Sequence, residues 1–246
     1  MKTFRSFALI TLVSLLIISC KKNDNNSNLP VVSNRIKTYS EDYFHSGTHN
    51  ADSFNLTYNA GGQLELLQSK LNSGNKIVYT YQNNSFTQDF YTSNKLEIHS
   101  LFFLVNNVPD SFVQVNSTDT GTTKFLYNTA GQLIKMKEYD YKKRTGSVLF
   151  NTTSYVYDAF GNVIKDTDTY GNVNDYTYYL DQQDLIEFIL PYYKYSHNLV
   201  KTQKYTSNGT VENITHTYTF DSQKRVSSDK EVIDNGDYVI KGYTYY

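Results

Sequence analysis

Residues 154–170, SYVYDAFGNVIKDTDTY, decide how the rest of the chain is read. Tyr155 and Tyr157 alternate with smaller or outward-directed residues, the period of a half-buried strand. Asp158 then opens a reversal, because a short carboxylate can accept from backbone N–H groups just ahead of it and cap a type I turn. Gly161 falls where that turn needs a left-handed residue, a conformation that a side chain resists. Val163 resumes the alternation. A type I turn followed by a left-handed residue and a bulge is a common hairpin connection. The stretch therefore reads as one β-hairpin.

The same pattern recurs along the chain. Tyr58-Asn59-Ala60-Gly61-Gly62-Gln63-Leu64 and Tyr127-Asn128-Thr129-Ala130-Gly131-Gln132-Leu133 share five identities. Phe220-Asp221-Ser222-Gln223-Lys224-Arg225-Val226 is another copy, with Lys224 in the glycine position. Leu180-Asp181-Gln182-Gln183-Asp184-Leu185 is a shortened copy, and Tyr81-Gln82-Asn83-Asn84-Ser85-Phe86 a degenerate one. The turn residues read in this way are Asn59, Gly62, Asn128, Gly131, Asp158, Gly161, Asp181 and Asp221. Alternating aromatics precede the turns, as in Phe54/Leu56/Tyr58, Phe125/Tyr127 and Tyr176/Tyr178/Leu180. A single hairpin cannot bury its apolar face, so the units must stack side by side. The expected fold is all-β. Residues 36–246 should form an antiparallel meander of repeated β-hairpins, as one large curled open sheet or partial barrel. Its edges would need charge or cover. Lys142-Lys143-Arg144 suits a protecting turn, while Pro109 and Pro191 mark interruptions.

The motif Tyr-Asp-x-x-Gly-Asn-Val resembles the YD repeat of RHS-type proteins. Glycine is lost at Lys224 and Asp184, and the chain is far shorter than the closed shells of the large RHS toxins, which favours an open sheet. The region 192–246 also resembles uncharacterised Bacteroidetes lipoproteins. The cues are Asn198-Leu199-Val200-Lys201, Tyr218-Thr219-Phe220-Asp221 and the terminal Tyr243-Thr244-Tyr245-Tyr246.

The N-terminus reads as an address. Lys2 and Arg5 precede an apolar run from Phe7 to Ile18, which is short of the ~20 residues of a spanning helix. Ile17-Ile18-Ser19-Cys20 ends the run, and Cys20 is the only cysteine among 246 residues. This resembles the lipobox of bacterial lipoproteins. The resemblance implies cleavage after residue 19, a diacylglyceryl thioether on Cys20 and an acyl chain on its new amino group. More than one acyl chain makes a stable membrane anchor. Residues 1–19 are then a signal peptide and residues 20–35 a lipidated tether, polar until Leu29. A short run holding Lys and Asp after the cysteine resembles the surface-export signal of Bacteroidetes lipoproteins, and Lys21 fits outer-membrane sorting. The expected location is the outer membrane, lipid-anchored, with the cell surface favoured over the periplasmic face.

Composition narrows the function. A net charge of −1 lacks the basic excess of a nucleic-acid protein, and loss of Lys2 and Arg5 with the signal takes it to −3. One cysteine rules out an intrachain disulfide and a zinc–thiolate cluster. Tyrosine is unusually frequent at 24 residues, with 14 Phe and no Trp, which suits strands. Tyrosines also stack on sugars and partner proteins. Tyr179, Tyr192, Tyr193 and Tyr195 are the candidate ligand contacts, with Tyr179 and Tyr193 out of phase with the core alternation.

Asp166 and Asp168 lie two apart in a strand and share a face, which reads as a solvated outer surface. His45 and His49 would lie ~13 Å apart along a strand, too far to share a zinc. His99, His197 and His216 have no partner acid or serine at catalytic spacing. No nucleophile elbow, phosphate loop or dinucleotide fingerprint is present. The expectation is a non-catalytic protein without cofactor, metal or nucleic-acid partner, binding a glycan or an envelope protein. A structural component docking by its sheet edge is the alternative, and a glycan-active enzyme a remote one.

Overall fold

The computed structural model describes residues 34–116, 119–142, 146–184, 186 and 196–246. Cys20, Pro191, Tyr192, Tyr193 and Tyr195, with Lys143 and Arg144, lie outside the described residues. The described chain is all strand and reversal. The first eight strands are β1 (Ile36–His45), β2 (Thr48–Tyr58), β3 (Leu64–Ser69), β4 (Lys76–Gln82), β5 (Ser85–Thr92), β6 (Lys95–Val105), β7 (Val108–Asn116) and β8 (Thr120–Tyr127). The second eight are β9 (Leu133–Lys142), β10 (Gly146–Tyr157), β11 (Val163–Thr167), β12 (Val173–Gln183), β13 (Asn198–Ser207), β14 (Thr210–Phe220), β15 (Val226–Ile233) and β16 (Tyr238–Tyr245).

Each strand pairs antiparallel with its sequence neighbours, and β1 pairs with β16 from Ile36 opposite Tyr245 to Phe44 opposite Tyr238. The sheet is thus a closed barrel of sixteen strands. This corrects the expected open curled sheet or partial barrel. Neighbouring strands rotate against each other by roughly 20–25°, so a long sheet curls. Once its ends meet, the unpaired N–H and C=O groups of both edges are satisfied together. Edge protection is then unnecessary, and the sheet-edge docking alternative loses its edge.

The barrel has two unlike ends. The turns 59–62, 128–131, 158–161 and 221–224 all lie at one end, together with the start of β1 and the end of β16. We call this the repeat end. Each of those four turns follows a register shift, between Thr57/Tyr58, Leu126/Tyr127, Val156/Tyr157 and Thr219/Phe220. The residues that restart the chain, Leu64, Leu133, Val163 and Val226, are buried.

A tyrosine in the second strand of a hairpin pair donates its hydroxyl to a carbonyl near the start of the preceding strand. The pairs are Tyr58 to Ile36, Tyr81 to Leu64, Tyr127 to Pro109, Tyr157 to Leu133, Tyr178 to Val163 and Tyr245 to Val226, at 2.5–3.0 Å. Four of these carbonyls belong to the post-turn residues where the bulge disturbs the ladder. The tyrosine of the motif is therefore an internal clamp between successive strands. Pro109 sits inside β7, opposite Leu104 and beside a register shift that relieves its missing N–H.

Aromatic rings fill the interior of the repeat end. Phe86, Phe102 and Phe112 stack at 4.4 and 4.7 Å on three neighbouring strands, with Phe125 5.9 Å beyond. Across the closing seam, Tyr39 packs on Tyr243 at 5.6 Å and on Phe54 at 6.0 Å. Burying such rings contributes roughly 1.5–3 kcal/mol each. The interior wall of the other end is polar, and the candidate site lies there.

Candidate functional site

Alternation turns every second residue inward, and cross-strand pairing places those residues in rows around the wall. Just above the aromatic plug, Tyr218, Asp229, Lys241, Glu41 and Asp52 stand directly opposite one another on β14, β15, β16, β1 and β2. One step further from the repeat end, His216 faces Glu231, Glu231 faces Val239, and Val239 faces Tyr43. Asp229, Glu41 and His216 are only 4%, 6% and 7% exposed.

These side chains form a connected network. Glu41 accepts the hydroxyls of Tyr39 and Tyr43 on its two oxygens. Lys241 pairs with Glu231. His216 Nδ1 lies 3.3 Å from Asp229 Oδ1 and 3.8 Å from Glu231 Oε1, and its Nε2 is buried without a hydrogen-bond partner. Asp52 accepts the Ser69 hydroxyl at 2.8 Å. Burial alone would lower the Lys241 pKa, but Glu231, Asp229 and Glu41 outweigh it and hold the ammonium above its ordinary value.

Acids and amides continue around the wall. Gln88, Ser100 and Gln114 oppose one another on β5, β6 and β7. Glu138 accepts from Asn151 at 2.7 Å. Asp166 accepts from Asn174 at 2.9 Å and from the Tyr176 hydroxyl at 2.8 Å. Burial raises the Asp166 pKa and outweighs those hydrogen bonds. The arrangement is a polar lumen with an aromatic floor, and its chemistry suits ligands rich in hydroxyl or cationic groups.

The outer face is also polar. Asn213, Thr215, Thr217 and Thr219 on β14 are exposed and alternate with inward His216 and Tyr218. Asn55 and Thr57 on β2, Lys124 on β8, Lys135 on β9, Lys204 on β13 and Lys230 on β15 are exposed likewise. Apolar residues are exposed as well, from Phe103 and Val105 on β6 through Val115, Leu126 and Val156 to Ile164 on β11, Leu180 on β12 and Val211 on β14.

The residues singled out from sequence fall as follows. Tyr179 is partly buried against the core, donates its hydroxyl to the His216 carbonyl at 3.2 Å and meets the Tyr218 ring edge-on at 6.1 Å. Asn59, Asn128, Asp158 and Asp221 stand at the head of their turns. Each accepts the backbone N–H four residues on, at 2.8–3.0 Å. Partial burial raises the pKa of Asp158, but bonds from Asn162, Phe160 and Gly161 outweigh it and hold the carboxyl below its usual range. Gly62, Gly131 and Gly161 have φ of 81°, 78° and 85°, and Lys224 takes 62° in the same position. Asp181 lies exposed in β12, and Asp184 makes the following turn contact through its bond from the Ile186 N–H.

Asp166 and Asp168 do not share a solvated outer face, which corrects that reading. Asp166 points inward, whereas Asp168 caps a further turn of the same kind, accepting from the Asn172 N–H at 2.9 Å. β11 ends at Thr167, which breaks the alternation between the two. His45 and His49 pair separately with Asp237 and Asp42. His99 and His216, read as lacking acid partners, face Asp89 and Asp229 across strands. The missed signal was register. Extending the pairs of the 221–225 turn down β14 and β15 puts His216 opposite Glu231.

No known protein family matches the sequence, and no curated protein matches it. The YD-repeat and lipoprotein resemblances therefore rest on the quoted residues alone. Solved structures share the fold. A porin-like protein from Bacteroides uniformis superposes with a TM-score of 0.60 at 14% identity, covering 86% of this chain and 98% of that one. One from Bacteroides vulgatus gives 0.60 at 10% identity, again over 86% and 98%.

Proposed function

We propose that this chain is a lipid-anchored outer-membrane protein whose barrel stands in water and binds a polar solute, a glycan first, through its lumen. The carrying observation is the mixed polarity of the outer face, where Thr, Asn and Lys are exposed on β2, β8, β9, β13, β14 and β15. A barrel embedded in lipid needs an apolar outer band about 25 Å tall and keeps a polar interior. Here threonine, serine, asparagine and lysine occupy much of the outer face, while phenylalanine and tyrosine fill the floor of the interior. The porin-like fold thus supports the architecture without requiring that the wall contact lipid. The described chain starts at the repeat end, so a tether leading to Cys20 leaves beside the aromatic floor. That geometry directs the polar end of the lumen away from the membrane.

The tyrosines supply this role less as surface platforms than as clamps, so ligand contact shifts to the lumen acids and amides. Carboxylates and amides paired as at Asp166–Asn174 and Glu138–Asn151 are good partners for sugar hydroxyls.

Fractionation tests the placement. Cys20→Ser in the full chain should leave the membrane fraction and stay monodisperse without detergent. Retention in membranes, or a need for detergent, would show an embedded barrel. The same soluble protein on a glycan array should show saturable binding that drops at least about tenfold in Asp166→Asn, the change expected for a lost charge-assisted bond of ~1.5–3 kcal/mol. A blank array turns the reading toward a protein partner.

A further inference from the structure

The seam wall of the lumen gathers three carboxylates around one lysine and one histidine. Glu41, Asp229 and Glu231 are three carboxylates on β1 and β15, and Lys241 between them is the single fixed cation of the cluster. Asp229 and Glu41 are almost fully buried in this wall. Buried charge is costly unless paired or bound to a metal.

The geometry points to a binding site for one divalent transition-metal ion of the zinc class on His216, Asp229 and Glu231. Their ligand atoms all lie within 4.8 Å of one another. Nδ1 of His216 stands 3.3 Å from Asp229 and 3.8 Å from Glu231, long for charge-assisted hydrogen bonds. Tetrahedral ligands at zinc bond lengths of ~2.0–2.2 Å are about 3.3–3.6 Å apart, so the two histidine–carboxylate separations are near those of a bound ion. One nitrogen and two carboxylate oxygens suit zinc and its neighbours better than calcium or magnesium, which favour all-oxygen sets. The His216 ring is 7% exposed and turns Nδ1 toward both carboxylates, so a buried nitrogen donor is held beside them on the wall.

Lys241 now pairs with Glu231 and would have to turn toward Glu41, its neighbour directly opposite on β1, as Glu231 takes the metal. The site goes beyond the solute-binding reading and stands whether or not a glycan binds.

The test uses the full chain in detergent, stripped with EDTA and titrated with ZnCl2 by calorimetry. One ion per chain is expected, and CoCl2 should give the intense visible absorption of a four-coordinate site. His216→Gln should weaken zinc at least about 100-fold, more than the loss of an outer-shell partner of a ligand. His99→Gln removes the outward His99–Asp89 pair and should leave the affinity unchanged. No saturable zinc binding, or six-coordinate cobalt absorption in the unmodified chain, overturns the site. So does His216→Gln with undiminished affinity, or an equal loss in His99→Gln. If His216→Gln fails to fold, the cobalt spectrum of the unmodified chain decides.

Discussion

Gly131 and Lys224 occupy the same left-handed position in two copies of one turn, with φ of 78° and 62°. A left-handed residue with a side chain costs roughly 1–2 kcal/mol, partly offset by the greater freedom of glycine in the unfolded chain. An added Cβ at Gly131 meets nothing within 4 Å, so Gly131→Ala isolates the backbone term. It should lose about 1 kcal/mol, and Lys224→Gly should gain about 0.5–1, both read from denaturant midpoints at constant slope. Asp158 acts through its side chain. Asp158→Ala should cost about 1 kcal/mol, as for a lost helix-cap oxygen. Its folded pKa lies below the unfolded one, so its contribution is full above roughly pH 4 and fades as pH falls through the folded value. Asn59 and Asn128 make the same turn without a titrating group. Asp158→Asn should therefore keep neutral-pH stability and flatten the acid limb of a pH–stability curve.

At the scale of the element, the hairpin with its bulge and clamp is the repeating unit. The alternation Tyr155/Tyr157 and the Asp158–Gly161 turn were legible because strand period and turn chemistry are local. The tyrosine hydroxyl was not, because its acceptor lies on another strand. Tyr157 reaches the Leu133 carbonyl 24 residues away. Tyr157→Phe leaves that carbonyl short of a partner at no change in ring volume, and should lose about 1–2 kcal/mol in chemical denaturation. A loss near zero would show that the clamp is replaced by water. Asp181 illustrates the opposite difficulty. Its Leu-Asp start imitates the motif, but pairing with β13 continues β12 to Gln183 and moves the reversal past Asp184.

For the whole molecule, closure is the decisive event. β1 and β16 lie about two hundred residues apart, and their pairing at Glu41–Lys241 also assembles the charged wall. Removing residues 238–246 would leave β1 and β15 as two long unpaired edges. Such a chain should aggregate on size-exclusion chromatography where the intact one stays monomeric, because exposed edges recruit other strands. A monodisperse truncated barrel would mean that fifteen strands can close without β16.

The sequence by itself determined the strand class, the hairpin unit, the turns at Asn59, Asn128, Asp158 and Asp221 and the inward aromatic stripe, since each depends on neighbours a few residues apart. It also carries the linear pattern at Cys20 on which the proposed lipid anchor rests. Only the tertiary structure decided that the sheet closes, which end is packed and which is polar, and that His216, Asp229 and Glu231 meet Lys241 and Glu41. The physical reason is that closure depends on summed twist and on the register of sixteen strands. No single hairpin contains that sum.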